Sequence, residues 1–372
     1  MRVIELFAGI GLMRAGLERA GWTVVFANDI EPFKASIYVA NYGAGDFHLG
    51  DVRSIEGNDL PDADMLTASF PCTDLSLAGN RAGLGGEASG MFWEAVRLLT
   101  EMKGRRPHVV LFENVPSFAT SLGGQDFLTA VAALNRLGYL CDPLVLDAAS
   151  WVPQSRRRLF LVGVQASQSN EPWAPDHVRP SWLGAVVDSA SDLGWACVAL
   201  PRPPRATTTL ASVVERLPRT DVRWWSVGRT AALIDSMSPL QRRRLESLKS
   251  RDRLSWRTAF RRTRNGVAVW EARADEISGC LRTARGGSSR QALIEIGRGS
   301  VRVRWMTPVE CARLQGADEF VIPDTVTLNQ ALFAFGDAVC VPAVEWLANE
   351  YLNGLVLGRQ GHRSRQLVLG VA

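Results

Sequence analysis

Residues 2–29 read RVIELFAGIGLMRAGLERAGWTVVFAND, and their pattern decides the fold. RVIELFAG is apolar and ends in glycine, as a buried strand running into a tight turn does. LMRAGLERAG carries its apolar residues at helical spacing, and TVVFAND is a second strand closed by an acid. Strand, helix and strand in that order make a βαβ unit with parallel strands. The same rhythm continues through DMLTASF (64–70), the helix-like MFWEAVRLLTEMK (91–103), HVVLFENV (108–115) and RRLFLVGV (157–164). The expected fold is therefore α/β with a mostly parallel sheet, and its chemistry belongs at the carboxyl ends of the strands.

The rhythm is lost from about residue 166 to residue 300. There the Pro-rich PRPPR (201–205), four tryptophans (Trp224, Trp225, Trp256, Trp270) and a run of arginines mark a second, smaller and irregular domain. Regular pattern resumes at TPVECARLQG (307–316), and the apolar VPAVEWLANEYL (341–352) reads as a helix returning to the sheet. The expected division is 1–168 with 325–352 as the main domain, 169–324 as the second domain and hinge, and 353–372 as a loose basic tail.

Bulk composition narrows the function. The 372 residues are 47% hydrophobic, enough for a sizeable core. The reading finds no apolar run approaching the roughly 20 residues that cross a bilayer, and no signal peptide. Six cysteines without CxxC spacing and four scattered histidines speak against a disulfide framework, a metal site or a histidine triad, and fit a reducing cytoplasm. Net charge is only +4, yet between Gln241 and Arg264 ten basic residues, nine of them Arg, face only Glu246 and Asp252. Such a cluster suits phosphate and guanine recognition; a solvated helix face is the plain alternative.

Candidate site residues lie at the strand ends. Gly9 and Gly11 follow the first strand and let the backbone approach a ligand, although the third glycine of a dinucleotide fingerprint is missing. Asp29, followed by Glu31, ends the second strand and can accept from ribose hydroxyls; Asp51, after the third strand-like stretch, can accept from an adenine amino group. Either acid alone is more often a helix cap. SFPCTDLS (69–76) places Cys72 behind Pro71, which stiffens the entry and aims the side chain. A lone loop cysteine is a packing residue or a nucleophile, and nucleophilic use needs nearby positive charge or amide donors. Glu113 and Asn114 end the strand HVVLFEN, on the same rim. In QSRRR, alternation puts Gln154, Arg156 and Arg158 on one face; surface salt bridges are the alternative.

In order, FAGIG, ND with its following Glu, GD, FPC-x-x-x-S, ENV, QxRxR, TPVECARLQG and GDAVCVP resemble the DNA (cytosine-5) methyltransferases. The likeness runs from residue 3 to about residue 347, interrupted over 170–295, where that family keeps its target-recognition domain. It implies a Rossmann-like, S-adenosylmethionine-dependent fold with the cofactor near Phe7, Gly9, Gly11, Asp29, Asp51, Pro71 and Asp337. It also implies catalytic roles for Cys72, Glu113, Asn114, Arg156 and Arg158 on a cytosine flipped out of the duplex. The partner it implies is double-stranded DNA, the protein acting as a monomer, with no metal, in a pairing with a restriction endonuclease or another defence protein. DNA-contacting candidates are Ser76, Arg242, Arg243, Arg261, Arg262, Thr283, Arg285 and Ser289. Departures from the family pattern are Thr73-Asp74 after the cysteine, LQGADEF (314–320), and Asp337 where most members carry Asn. A tRNA cytosine methyltransferase of the same family, an inactive DNA-binding relative and a nicotinamide oxidoreductase are the competing readings. The long Arg- and Trp-rich insert favours duplex DNA.

Overall fold

The computed structural model describes residues 1–71, 90–166, 172–283 and 290–358. The chain divides into two compact units, 1–147 with 157–203 and 343–372, and 148–156 with 204–342. Where the sequence suggested a boundary near residue 169, the first unit runs on to Pro203. The stretch 325–342, expected with the main domain, groups with the second unit.

Among the described residues the first unit is built on seven strands. They are β1 (Arg2–Leu6), β2 (Thr23–Asp29), β3 (Phe47–Leu49), β4 (Met65–Ala68), β5 (Val109–Asn114), β6 (Tyr139–Asp147) and β7 (Arg157–Gln165), in the order β3-β2-β1-β4-β5-β7-β6. The first five are mutually parallel, and β7 runs antiparallel to both β5 and β6. The order reverses between β1 and β4, so the loops leaving those two strands flank the crevice where open α/β sheets bind ligands. Register aligns their ends: Leu6 pairs with Asn28 on one side and Ala68 on the other, and Ala68 pairs with Phe112. The strand β6 contains Pro143, which an edge strand tolerates because one side of it needs no ladder bond.

Val3, Ile4, Leu66, Val110 and Leu161 are fully buried in the sheet, as expected of strands covered on both faces. On one face an aromatic chain runs from Phe70 to Phe118 and Phe127, with ring centroids 5.6 Å apart at each step. It fixes the end of the segment that leads into residue 72. Behind the sheet, Arg179 pairs with Asp142 and both side chains are wholly buried; Tyr351 and Trp173 donate to the same carboxylate at 2.9 and 3.2 Å.

The second unit is more regular than its sequence suggested. Strands β8 (Ser255–Arg264), β9 (Val267–Ala272), β10 (Ala292–Gly297) and β11 (Ser300–Trp305) form an antiparallel sheet in the order β11-β10-β8-β9. The helices Val227–Asp235 and Pro239–Lys249 cover it, burying Leu233, Leu245 and Leu248 against Ala259, Ile294 and Val303.

Two further expectations need correction. The stretch Leu328–Gly358 is long and apolar enough to cross a membrane by composition alone, whereas the sequence reading found no such run. Of its most apolar window 67% is buried, as in a core helix. The loose tail expected from Asn353 does not begin there: Trp22 donates to the Asn353 amide oxygen at 2.7 Å and Asn353 donates to the Ala20 carbonyl at 3.1 Å. Residues 359–372 lie outside the described residues.

Candidate active site

The turn after β1 is unusual in its backbone. Phe7, Gly9 and Gly11 all have positive φ, at 56°, 59° and 85°, and the residues between them do not. Phe7 holds a conformation that costs a non-glycine residue about 1–3 kcal/mol and that persists where surroundings impose it. Those surroundings are visible: the Ala8 N–H donates to the Asn28 carbonyl at 2.8 Å and the Gly9 N–H donates to Asp29 Oδ2 at 2.8 Å. Gly11 cannot be replaced quietly, because a Cβ there would lie 2.5 Å from Tyr42 and 2.9 Å from Tyr38. A Cβ on Gly9, by contrast, would meet nothing within 4 Å.

Asp29 is buried and already braces the backbone, since its second oxygen accepts from the Glu31 N–H at 2.9 Å. A carboxylate has about four acceptor sites, so both oxygens keep capacity for a ligand. Asp51 caps the short turn Val52–Ser54 through the Arg53 N–H and is gripped by the Arg53 guanidinium. Those hydrogen bonds hold its carboxyl below the ordinary range.

Glu5 lies beneath the turn. It is 2% exposed, and its Oε2 has no hydrogen-bond partner among the described residues. Burial pushes its carboxyl up to about 8, against the opposing pull of Arg14, whose backbone N–H it accepts. The acid opening the motif is therefore neutral at pH 7.

At the end of β5, Glu113 and Asn114 are both buried. Arg158, at the start of β7, places its Nε 3.0 Å from Glu113 Oε1. Asn114 Nδ2 donates to the Phe70 carbonyl at 3.1 Å, two residues ahead of position 72. Pro71 is exposed. Cys72, Ser76, Arg285 and Ser289 lie outside the described residues. Of the other cysteines, Cys141 and Cys311 are fully buried and burial pushes both thiols up, which keeps them inert.

Arg156, Asp337, Thr283 and the arginines expected to meet DNA belong to the second unit. Arg156 is 2% exposed, and its guanidinium donates to the carbonyls of Leu281 (2.8 Å), Gly336 (3.0 Å) and Ala338 (2.5 Å). Gln154 joins the same network through the Leu314 carbonyl and the Leu281 N–H, and Gln315 through the Phe335 carbonyl. Gly336 packs so closely on Arg282 and Thr283 that a Cβ would lie 2.4 Å from the Arg282 carbonyl. Asp337 is exposed at the end of its helix. Arg242, Arg243, Arg261 and Arg262 are exposed, and Arg262 lies 3.3 Å from Glu271.

Tyr42 and Gln315 are contributors that the sequence reading passed over. Tyr42 donates to the Gly11 carbonyl at 2.9 Å; its signal was the spacing of four from Tyr38, which puts both rings on one helix face.

The family model of the C-5 cytosine-specific DNA methylases matches residues 1–353. The chain is 28% identical over 358 residues to Type II methyltransferase M1.ScrFI of Lactococcus lactis subsp. cremoris, covering 95% of this chain and 78% of that one. It is 30% identical over 355 residues to Type II methyltransferase M.NlaX of Neisseria lactamica, covering 94% and 95%. In fold it is similar to the crystal structure of the S. pombe Dnmt2 methyltransferase, with a TM-score of 0.60 at 18% identity over 95% of this chain and 99% of that one.

Proposed function

The chain belongs to the C-5 cytosine-specific DNA methylases, and from that premise we propose that it methylates a cytosine flipped out of a specific duplex sequence, using Cys72 as a transient nucleophile. As a member of that family it is an S-adenosylmethionine-dependent DNA methyltransferase. The residues present fit this cofactor: the open space at Gly9 admits its backbone contact, and Asp29 has oxygens to spare for ribose hydroxyls. When bound, the cofactor supplies an electrophilic methyl group on a sulfonium.

The chain's own residues prepare the acceptor. Carbon 5 of an aromatic pyrimidine is a poor nucleophile, and covalent addition splits one hard step into two easier ones. The Cys72 sulfur bonds to carbon 6, Glu113 engages the N3 and amino edge, and carbon 5 becomes the nucleophile. After methylation, loss of the carbon 5 proton expels Cys72 and restores the ring. Arg158 fixes the Glu113 carboxyl from the side and Asn114 steadies the segment that delivers Cys72. Flipping is required because carbon 5 and carbon 6 are out of reach in the stack. The likeness to relatives named Type II methyltransferases supports a modification enzyme working beside a restriction endonuclease.

One observation carries this reading: a buried glutamate held by an arginine, adjacent in sequence to an asparagine that ties down the approach to a cysteine. The experiment is incubation with S-adenosylmethionine and duplex DNA carrying 5-fluorocytosine. Elimination is then blocked, and a covalent complex whose DNA-linked peptide contains Cys72 is expected. A linked peptide without Cys72 overturns the nucleophile. Methyl label on tRNA but not on duplex DNA overturns the substrate.

A further inference from the structure

Asn28 is buried near the end of β2, where it pairs with Leu6 of β1 on one side and with His48 of β3 on the other. Its side-chain nitrogen reaches across to the β3 exit and donates twice, to the His48 carbonyl at 3.0 Å and to the Gly50 carbonyl at 2.8 Å. We propose that Asn28 is a positioning residue for the adenine end of the cofactor, acting through Asp51, the residue after Gly50. The proposal rests on the methyltransferase reading above.

The stitch sets the spacing of two acids. Asn28 precedes Asp29, and the Gly50 N–H donates to the Asp29 carbonyl at 3.1 Å. Three hydrogen bonds therefore tie the loop leaving β3 to the end of β2. The backbone carbonyl of Asn28 also accepts from the Ala8 N–H at 2.8 Å, so the same residue braces the turn after β1. An amide suits position 28 because it carries two donors on one nitrogen. Aspartate there would set a carboxylate against two carbonyl oxygens, and an apolar side chain would leave both carbonyls short of a donor, which is costly in a buried place. Asp51 itself has little latitude. The backbone N–H, Nε and Nη2 of Arg53 already donate to its carboxylate, which has about four acceptor sites. The direction left for an adenine amino group is narrow, and the backbone that Asn28 holds is what sets it.

The test is calorimetric binding of S-adenosylhomocysteine and of S-inosylhomocysteine, in which an oxygen replaces the adenine amino group. The full chain is compared as wild type, Asn28→Ala, Asp51→Ala and the double variant. Wild type should prefer the adenosyl ligand by roughly tenfold or more, the worth of a hydrogen bond to a charged acceptor. Asn28→Ala should lose most of that preference by weakening the adenosyl ligand alone, and should raise KM for S-adenosylmethionine more than it lowers kcat. With Asp51 already replaced, removing the Asn28 amide should cost the adenosyl ligand nothing further, because the two residues act as one unit. Asn28→Ser takes the place of the alanine variant if a thermal melt shows the latter unfolded. Equal weakening of both ligands, a preference kept in a folded variant, additive losses in the double variant, or a wild type that binds both ligands equally overturns the positioning role and leaves the methyltransferase reading intact. A wild type that neither binds the adenosyl ligand nor methylates duplex DNA overturns both.

Discussion

Arg158 Nε stands 3.0 Å from Glu113 Oε1, with the two side chains only 16% and 7% exposed. The antiparallel pairing of β5 with β7 makes this possible, because Asn114 and Leu159 are opposite one another and their neighbours share an edge. We expect Arg158→Ala to lower kcat by up to about 10²-fold, the low end of what a positioned acid or base contributes, because it frees the Glu113 carboxyl. Cofactor affinity should hold, because Arg158 is not at the turn after β1. Single-turnover methyl transfer and cofactor titration measure the two effects, and an unchanged kcat would remove the pair from the chemistry.

Gly11→Ala should damage both fold and cofactor site. The new methyl would overlap Tyr42 and Tyr38, and φ at this position is 85°. Overpacking costs about 1–3 kcal/mol, to which backbone strain adds. Denaturant unfolding and calorimetric binding of S-adenosylmethionine report on each. A variant with wild-type stability would mean that the tyrosines give way freely.

Glu5 makes stability depend on pH in a stated direction. Its carboxyl is raised from 4.5 to about 8 in the fold, so the folded state binds the extra proton between those values. The stabilisation is full below about pH 4.5 and is lost as pH rises through about 8. Glu5→Gln keeps the neutral form at every pH, so its stability relative to wild type should climb across that window, by at most about 1.4 kcal/mol per pH unit. Denaturant midpoints of both proteins from pH 5 to pH 9 decide it; parallel curves would refute the neutral Glu5.

Breaking the buried pair behind the sheet should be severe. Asp142→Asn leaves the Arg179 cation, 0% exposed, short of its main partner. Removing one member of such a pair costs about 3–5 kcal/mol. Equilibrium unfolding measures the loss, and a loss below that of an ordinary surface substitution would show Asp176 compensating fully.

Much of the first unit was legible because its strands are short apolar runs ending in glycine or acid, and open α/β sheets in general bind ligands at such ends. Direction was not legible. A period-two pattern is the same in either sense, so RRLFLVGV did not announce that β7 runs antiparallel. The strand β6 was hidden by Asp142 and Pro143, which interrupt its apolar run. The second sheet was hidden by the arginines at 257, 261, 262 and 264, which break any alternation along β8, although Asn265-Gly266 at its end, with φ of 49° and 78°, is a recognisable hairpin turn. The pairing of Glu113 with Arg158 depends on strand order, which no local pattern encodes. The position expected for the nucleophile, Cys72, lies outside the described residues.

Arg156 has the look of a chemical residue in the sequence, yet its planar fork is committed to carbonyls at 281, 336 and 338. Two distant pieces of chain are riveted to its own by one side chain that must spread its donors in a plane. Lysine, with its donors on a single atom, cannot span them. The tolerance of this site to mutation should therefore be set by architecture: even the most conservative exchange would free two stretches of backbone at once.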